Sequence, residues 1–409
     1  MLILLACTQP SVSLGSDGTL VLPGEEYVHE TGLEDVIGPE LGTNGEAVFD
    51  TSVLHEVRLE ISSYAWSQLT YDPRDYAQVD WIDEDGEPFE IAIRLKGNTQ
   101  FRAIGDKPSI IVDFNRYGER HWDGLSSVYL HNLTYDPSNL HEHLAYHYFR
   151  EGAEVPASRS SFAQLWINDE DYGIYLVLEK QNGLFNERNF GESGGGTWEA
   201  GSFNHPCDLN DAGCDCWETD QEGDDAALHA FCAAATSDGA VMEVTADHVD
   251  WDQFLRQITA EMAIAHYDNY GWNTNNYRVH QVPSTGRFHW TPWSTDLAFG
   301  WYPWSGYPHC GEYGTVPSDH DYGYLAARCW ADADCKERIY EGLLDHADRL
   351  EEADLVSVLE TRLELIDELS ESDGRSWYSN AKRQEELQCM RDWIEARPGW
   401  LREWVDAVR

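Results

Sequence analysis

The chain has 409 residues, 42% of them hydrophobic, with 17 Trp and 13 Phe. That is enough apolar material for one large two-lobed domain or two to three smaller ones, and too much for a disordered chain. Acidic residues number 74 against 27 Lys and Arg, a net charge of −47, and so negative a field excludes nucleic acid and anionic membrane surfaces as partners.

The first residues, Leu4-Leu5-Ala6-Cys7, match the end of a bacterial lipoprotein signal, with a small residue before a Cys that would carry lipid. The stretch before Cys7 is short and lacks a basic start, so Met1 reads as an internal methionine and 1–7 as a signal remnant. Residues 8–48 are rich in Gly, Ser, Pro, Thr and Glu and read as a flexible tether. From there the pattern alternates. Val57–Ile61, Gln78–Ile82, Glu90–Leu95 and Ser109–Phe114 are predicted strands, Tyr64–Leu69 a short helix, and Asp85-Gly86 a turn. A helix is predicted over 139–151, with Leu140, Leu144, Tyr148 and Phe149 on one face. Phe162–Ile167 and Gly173–Leu178 form a predicted hairpin, turned at 168–171.

Residues 192–250 are acidic, Gly-rich and Cys-rich and read as a stapled insertion. Trp251 to His266 is a predicted helix, 301–330 an aromatic loop region, and 332–409 mainly helical, broken near Asp373-Gly374 and at Pro398. No later segment is long and apolar enough to span a membrane. Besides Cys7 there are eight cysteines, Cys207, Cys214, Cys216, Cys232, Cys310, Cys329, Cys335 and Cys389. In an exported chain they predict up to four disulfides; zinc is disfavoured because Cys214-x-Cys216 lacks the usual two-residue spacing. The order of elements predicts an α+β, two-lobed architecture: an antiparallel sheet with one helix at about 49–180, the insertion, then a mostly helical part at about 251–405.

Three regions carry candidate chemistry. Between 94 and 120 six cations face three carboxylates, a local charge of +3 in an acidic chain. There Lys96-Gly97-Asn98-Thr99 leaves a strand as a Gly turn that can bring backbone N–H groups and a Lys to phosphate, or can be a plain hairpin loop. Glu142, in the 139–151 helix, can pair with a phosphate-binding Lys, and Glu179 ends a strand whose backbone can meet a flat heterocycle. Asp268 follows an apolar helix and precedes Asn273, Asn275 and Asn276. Asp296 follows a predicted strand and precedes Leu-Ala-Phe299-Gly300. A carboxylate base, amide oxygens and a second carboxylate are what metal-dependent phosphoryl transfer needs. Paired carboxylates among Trp-rich loops would also suit a carbohydrate-active protein.

These blocks, in this order, resemble the spore coat protein H (CotH) family of secreted, atypical protein kinases, from about Val48 to Arg397. Arg94-Leu-Lys96-Gly97-Asn98-Thr99 is similar to that family's R-x-[RK]-G-N-[ST] turn, and Lys107–Phe114 to its following strand. Asn139–Pro156 resembles its helix, Gly173–Glu179 its G-x-Y-x-L-[VT]-E strand, Asp268–Tyr277 its D-x-Y…N-[YF] segment, and Pro292–Gly300 its P-W-[DG]-x-[DN]-x-[AT]-F block. The resemblance implies a kinase-like fold, ATP as phosphoryl donor, Mg2+ or Mn2+ as cofactor, and Ser/Thr of surface or coat proteins as acceptor. It implies Asp268 as the catalytic Asp, and Asp296 with Asn276 or Asn273 as metal ligands. Lys107 or Lys96 would hold phosphates beside Gly97 and Asn98, with Glu142 as ion-pair partner and Glu179 at the nucleotide hinge. Many relatives carry Asp where this chain has Ser294, so an inactive kinase-like surface protein is the alternative. Localisation is expected to be exported or cell-surface, as a monomer touching membrane only through Cys7.

Overall fold

The computed structural model describes residues 44–82, 86–199, 207–211, 214–221, 223–303 and 317–409, with the backbone of two paired strands, β1 (Ser13–Leu14) and β2 (Leu20–Val21). The signal remnant with Cys7, most of the tether, the Asp85-Gly86 turn's first residue and Cys310 lie outside the described residues. The tether's last residues are part of the fold. Gly45 N–H donates to Asp123 O at 2.8 Å, and Val48 and Phe49 are buried.

Seven strands close into a barrel in the order β3 (Leu54–Glu60), β4 (Ala77–Ile82), β5 (Pro88–Lys96), β6 (Ser109–Asp113), β7 (Ser127–His131), β9 (Glu170–Glu179), β8 (Ser160–Ile167). The mixed α+β expectation holds, but the predicted antiparallel sheet is closed on itself by one parallel pair, β3 with β8, running from Leu54↔Phe162 to Leu59↔Ile167. Strand β7 has no counterpart in the sequence reading. Its run Ser-Val-Tyr-Leu-His is only five residues long and buried on both faces, so no alternation marks it. The β8–β9 turn is tighter than read: Asn168 and Asp169 both take left-handed backbone, the two-residue geometry that matches strand twist.

Alternate residues of the same strands feed two cores. Ile110, Val112, Val128, Leu130, Tyr175 and Val177 fill the barrel with Val57, Leu59, Ile91 and Ile93. Their neighbours Ile111, Tyr129, Ile174, Leu176 and Leu178 face out, into a second core with the helices. First among these is α2 (His141–His147), which widens into a π-turn at Tyr148–Gly152. Its start is fixed by Asp136, whose carboxylate accepts from the N–H groups of Ser138, Asn139 and His141 at 2.9, 2.9 and 2.7 Å.

The remaining helices include α1 (Ser63–Tyr71), α3 (Gly183–Phe190), α4 (Asp225–Ala235), α5 (Val241–Val244), α6 (Trp251–Ala263), α7 (Tyr270–Asn273), α8 (Tyr324–Ala331), α9 (Ala333–Glu352), α10 (Leu355–Ser372) and α11 (Asn380–Val408). The predicted break at Pro398 is absent, and α11 runs through it. Beside the proline, Arg397 is fully buried and donates to Ala263 O at 2.8 Å and Met262 O at 2.6 Å, satisfying carbonyls at the end of α6.

A second sheet runs β11 (Glu218–Gln221), β10 (Thr197–Glu199), β12 (Tyr277–Gln281), β13 (Phe288–Pro292). The Cys-rich segment is stapled by Cys207–Cys216 and Cys214–Cys232, and it also supplies β10 and β11 to this sheet. Cys329–Cys335 links α8 to α9, and Cys389 is disulfide-bonded as well.

Candidate active site

The end of α6 and the end of β13 are laced together. Tyr267 N–H donates to Leu297 O at 2.9 Å and Phe299 N–H to Ile264 O at 2.7 Å, so the segments carrying Asp268 and Asp296 run side by side. The hairpin adds a second tie: Tyr277 pairs with Pro292, and Trp293 N–H reaches Asn276 O at 3.0 Å. Three left-handed residues, Thr274, Asn276 and Ser294, turn the chain here, and Asn tolerates that conformation better than most residues.

Asp268 is the centre of an amide fan. Asn273 donates to its Oδ1 at 2.5 Å, Asn276 to its Oδ2 at 2.7 Å, and Asn275 to both oxygens at 3.1 Å. Burial raises the Asp268 pKa, and the three amides oppose the rise. Asp296 is buried more deeply. It accepts Gln100 Nε2 at 2.6 Å on Oδ2 and Ser294 Oγ at 3.3 Å on Oδ1. Burial first, then the charges of Glu142 and Asp268, push its pKa to about 8. Ser294 therefore contributes a hydroxyl donor to Asp296.

On the barrel side, Lys96 ends β5. Its Nζ lies 2.6 Å from His131 Nε2, and His131 Nδ1 lies 3.0 Å from both oxygens of Glu142. The rings of Tyr129 and Trp293 flank the ammonium at 4.6 and 4.7 Å. Burial lowers the Lys96 pKa to about 8, with Glu142 opposing, and burial raises that of Glu142 to about 8, with Lys96 opposing. Thr295 Oγ1 donates to Glu142 O at 3.4 Å, joining α2 to the Asp296 segment.

The Lys96–Gln100 turn spans the two sides. Gly97 has φ +104°, and a Cβ there would meet the Phe101 backbone at 3.2 Å, so the position needs glycine. Asn98 O accepts Phe101 N–H at 3.2 Å, which shapes the turn and aims Gln100 at Asp296.

Lys107 and Glu179 are not part of this arrangement. Lys107 is buried in an ion pair with Asp373, from the loop between α10 and α11. Of the two lysines offered by the sequence, Lys96 is the one linked to Glu142. Glu179 accepts Arg159 Nη2 at 2.6 Å and Arg188 Nη2 at 2.5 Å, and its backbone N–H is used by Arg159 O at 2.9 Å. Burial works against its charge, but Arg188 and Arg159 outweigh it and hold the carboxyl below its ordinary range. The sequence reading missed Gln100 and His131. Gln100 was detectable as the residue closing the Gly97 turn; His131 was hidden with β7.

The donors fit a divalent cation and a phosphorylated ligand. The side-chain oxygen of Asn273 is buried without a hydrogen bond while its amide nitrogen sits on Asp268, whose charge reaches Asp296, and oxygen donors of this kind suit Mg2+ or Mn2+. Among the described residues, the one cluster of three His, Cys, Asp or Glu ligand atoms is Cys207, Asp211 and Cys216. Its two sulfurs are bonded to each other, which removes it as a metal site.

The family model described as CotH kinase protein matches residues 93–401. This chain belongs to that family. The match starts within β5, so β3 and β4 lie before it, where the motif resemblance placed the start near Val48. The inner spore coat protein H of Bacillus subtilis (strain 168) is 22% identical over 251 residues, covering 57% of this chain and 68% of that protein. A solved chain from the Shewanella oneidensis MR-1 HipA–HipB toxin–antitoxin complex with operator DNA has a TM-score of 0.40 and 12% identity, covering 87% of this chain and 75% of its own.

Proposed function

We propose that this chain is an exported, ATP- and divalent-metal-dependent protein kinase that phosphorylates Ser or Thr of surface or coat proteins. The observation that carries it is the meeting of Asp268 with its amide fan, Asp296, and the Lys96–His131–Glu142 chain around one pair of laced segments. Family membership supports it, as does a named spore coat relative. The disulfides favour an oxidising compartment. In this reading the barrel side and the helical side act as the two lobes, the chain works as a monomer, and Cys7 is its only membrane link.

Asp296, with the amide oxygen of Asn273 or Asn276, would hold the cation, which supplies charge neutralisation to the phosphates. Lys96, beside the Gly97 turn, holds the phosphate oxygens. Asp268 takes the proton of the attacking hydroxyl as its oxygen bonds to the γ-phosphorus. The bond to the bridging oxygen breaks and ADP leaves. The three amides keep Asp268 oriented and ionisable against the pull of burial.

Incubation of the purified protein with labelled ATP, Mg2+ or Mn2+, and generic Ser/Thr acceptors tests this directly. Wild type should transfer label, Asp268→Asn should lose roughly 10³-fold in kcat, and Asp296→Ala should lose metal-dependent nucleotide binding in calorimetry. Metal-dependent binding that survives Asp296→Ala would refute the ligand assignment. The second reading, a kinase-like surface protein without activity, is favoured by Ser294 and by the Gln100 amide on Asp296. Nucleotide binding without transfer under any divalent metal would select it.

A further inference from the structure

We infer that His131 is the positioning residue that holds Lys96 toward the phosphates, as a spacer inserted where kinases commonly use a direct Lys–Glu ion pair. The inference rests on the kinase reading and deepens it. The spacer follows from strand order. Lys96 pairs with Ser109 across β5 and β6, and Ile110 pairs with Leu130 across β6 and β7, so Lys96, Ser109 and His131 form one row over three neighbouring strands. Two inter-strand steps place the outer Cα atoms roughly 10 Å apart. The small side chain of Ser109 leaves the space between them open, and its Oγ is engaged below by Asn132 N–H at 3.1 Å. Lys96 and His131 meet over it at 2.6 Å.

The chemistry then fixes one tautomer. An ammonium only donates, so His131 Nε2 must accept, and the ring proton sits on Nδ1. That proton points to the Glu142 carboxyl at 3.0 Å. One imidazole thus transmits the position of α2 to the end of β5. Trp293 packs edge-on against His131 at 5.8 Å and Tyr129 lies at 6.0 Å, which limits ring rotation. A substitution that keeps an acceptor and a donor about as far apart as the two ring nitrogens should keep Lys96 placed; an aromatic ring without nitrogen should not.

The test uses His131→Gln and His131→Phe in the full chain, each checked for native circular dichroism. His131→Phe should weaken ATP binding in calorimetry at least tenfold and raise KM for ATP similarly, with kcat changed less than about threefold. His131→Gln should recover affinity to within about threefold of wild type. The losses of His131→Phe and Glu142→Gln should fail to add in the double variant, because both break one chain. Wild-type affinity in His131→Phe, or additive losses, would overturn the role. A separate arm reads the ring itself. Imidazole ¹⁵N shifts should show the Nδ1–H tautomer in wild type and lose that preference in Lys96→Met. An Nε2–H tautomer overturns the spacer whatever the nucleotide data show. Absence of nucleotide binding in wild type, with the Nδ1–H tautomer intact, would instead overturn the kinase reading and with it the role in phosphate binding.

Discussion

At the residue scale, the buried histidine His141 shows how much charge this interior tolerates when it is paired. Asp136 Oδ1 lies 2.8 Å from its Nδ1 and Glu386 Oε1 3.3 Å from its Nε2, tying the start of α2 to α11. Burial works against its charge, yet Asp136 and Glu386 raise its pKa to about 9. The folded chain therefore keeps a proton that the unfolded chain releases near pH 6.5. The stabilisation is full below pH 6.5 and is lost as pH rises through about 9. Denaturant unfolding at pH 6.5 and pH 9 should show this loss in wild type, up to about 3 kcal/mol. His141→Asn should be less stable at pH 6.5 and should lack that part of the decline. Equal pH dependence in both proteins would rule the clamp out. Asp268, Asp296, Glu142 and Lys96 were legible in the sequence because each sits at the end of a predicted strand or helix. Gln100 and His131 were missed: the Gly97 turn pointed to Gln100, but its pairing with Asp296, and the strand pairing that sets His131 beside Lys96, are not encoded in sequence spacing.

At the element scale, the loop between α10 and α11 works as a clamp on the open end of the barrel. Asp373 takes Lys107 and also the N–H of Ile174 at 3.2 Å, while Arg375 reaches the carbonyls of Gly105, Asp106 and Asp171. Trp377 lies against the Arg102 guanidinium at 3.4 Å. These contacts fix the segment that follows the Gly97 turn. The two lysines of this region should therefore separate cleanly. Lys107→Met leaves a buried carboxylate unpaired and should cost about 3–5 kcal/mol in denaturant unfolding, with little change in KM for ATP in the folded fraction. Lys96→Met should do the reverse, raising KM for ATP with a small change in stability. A large KM effect from Lys107→Met would return that residue to the phosphate site. Pro398 gives a related lesson. The sequence rule that proline ends a helix gave way because the neighbouring Arg397 and Leu401 are buried, and tertiary packing outweighs local propensity.

At the scale of the whole molecule, the period-2 pattern made most strands legible, and the helix over α6 was read as well, while 332–409 was read as helical without the boundary between α9 and α10. The closure of the barrel was not legible, since pairing Leu54 with Phe162 depends on contacts between distant parts of the chain. The same was true of β10, which enters the β12–β13 sheet from inside a disulfide-stapled segment. The net charge of −47 takes on a local meaning here. Lys96 and Arg278 stand beside Trp293, with the ring 4.7 and 4.2 Å away, and set positive charge next to carboxylates of raised pKa.

The β12–β13 hairpin has a kinetic consequence. Its open end holds Asn276 beside Trp293, so the Asn276 side of the site is built from contacts close in sequence. The Lys96 side depends on a barrel closed by strands far apart in sequence. Loop-closure entropy then orders the assembly: during refolding the hairpin should gain protection before the barrel seam does. Pulsed hydrogen exchange should protect the amides of Tyr277–Gln281 ahead of those of Leu54–Glu60, and simultaneous protection would contradict it. The two halves of the site would then ripen at different times, the half around Asn276 before the half around Lys96.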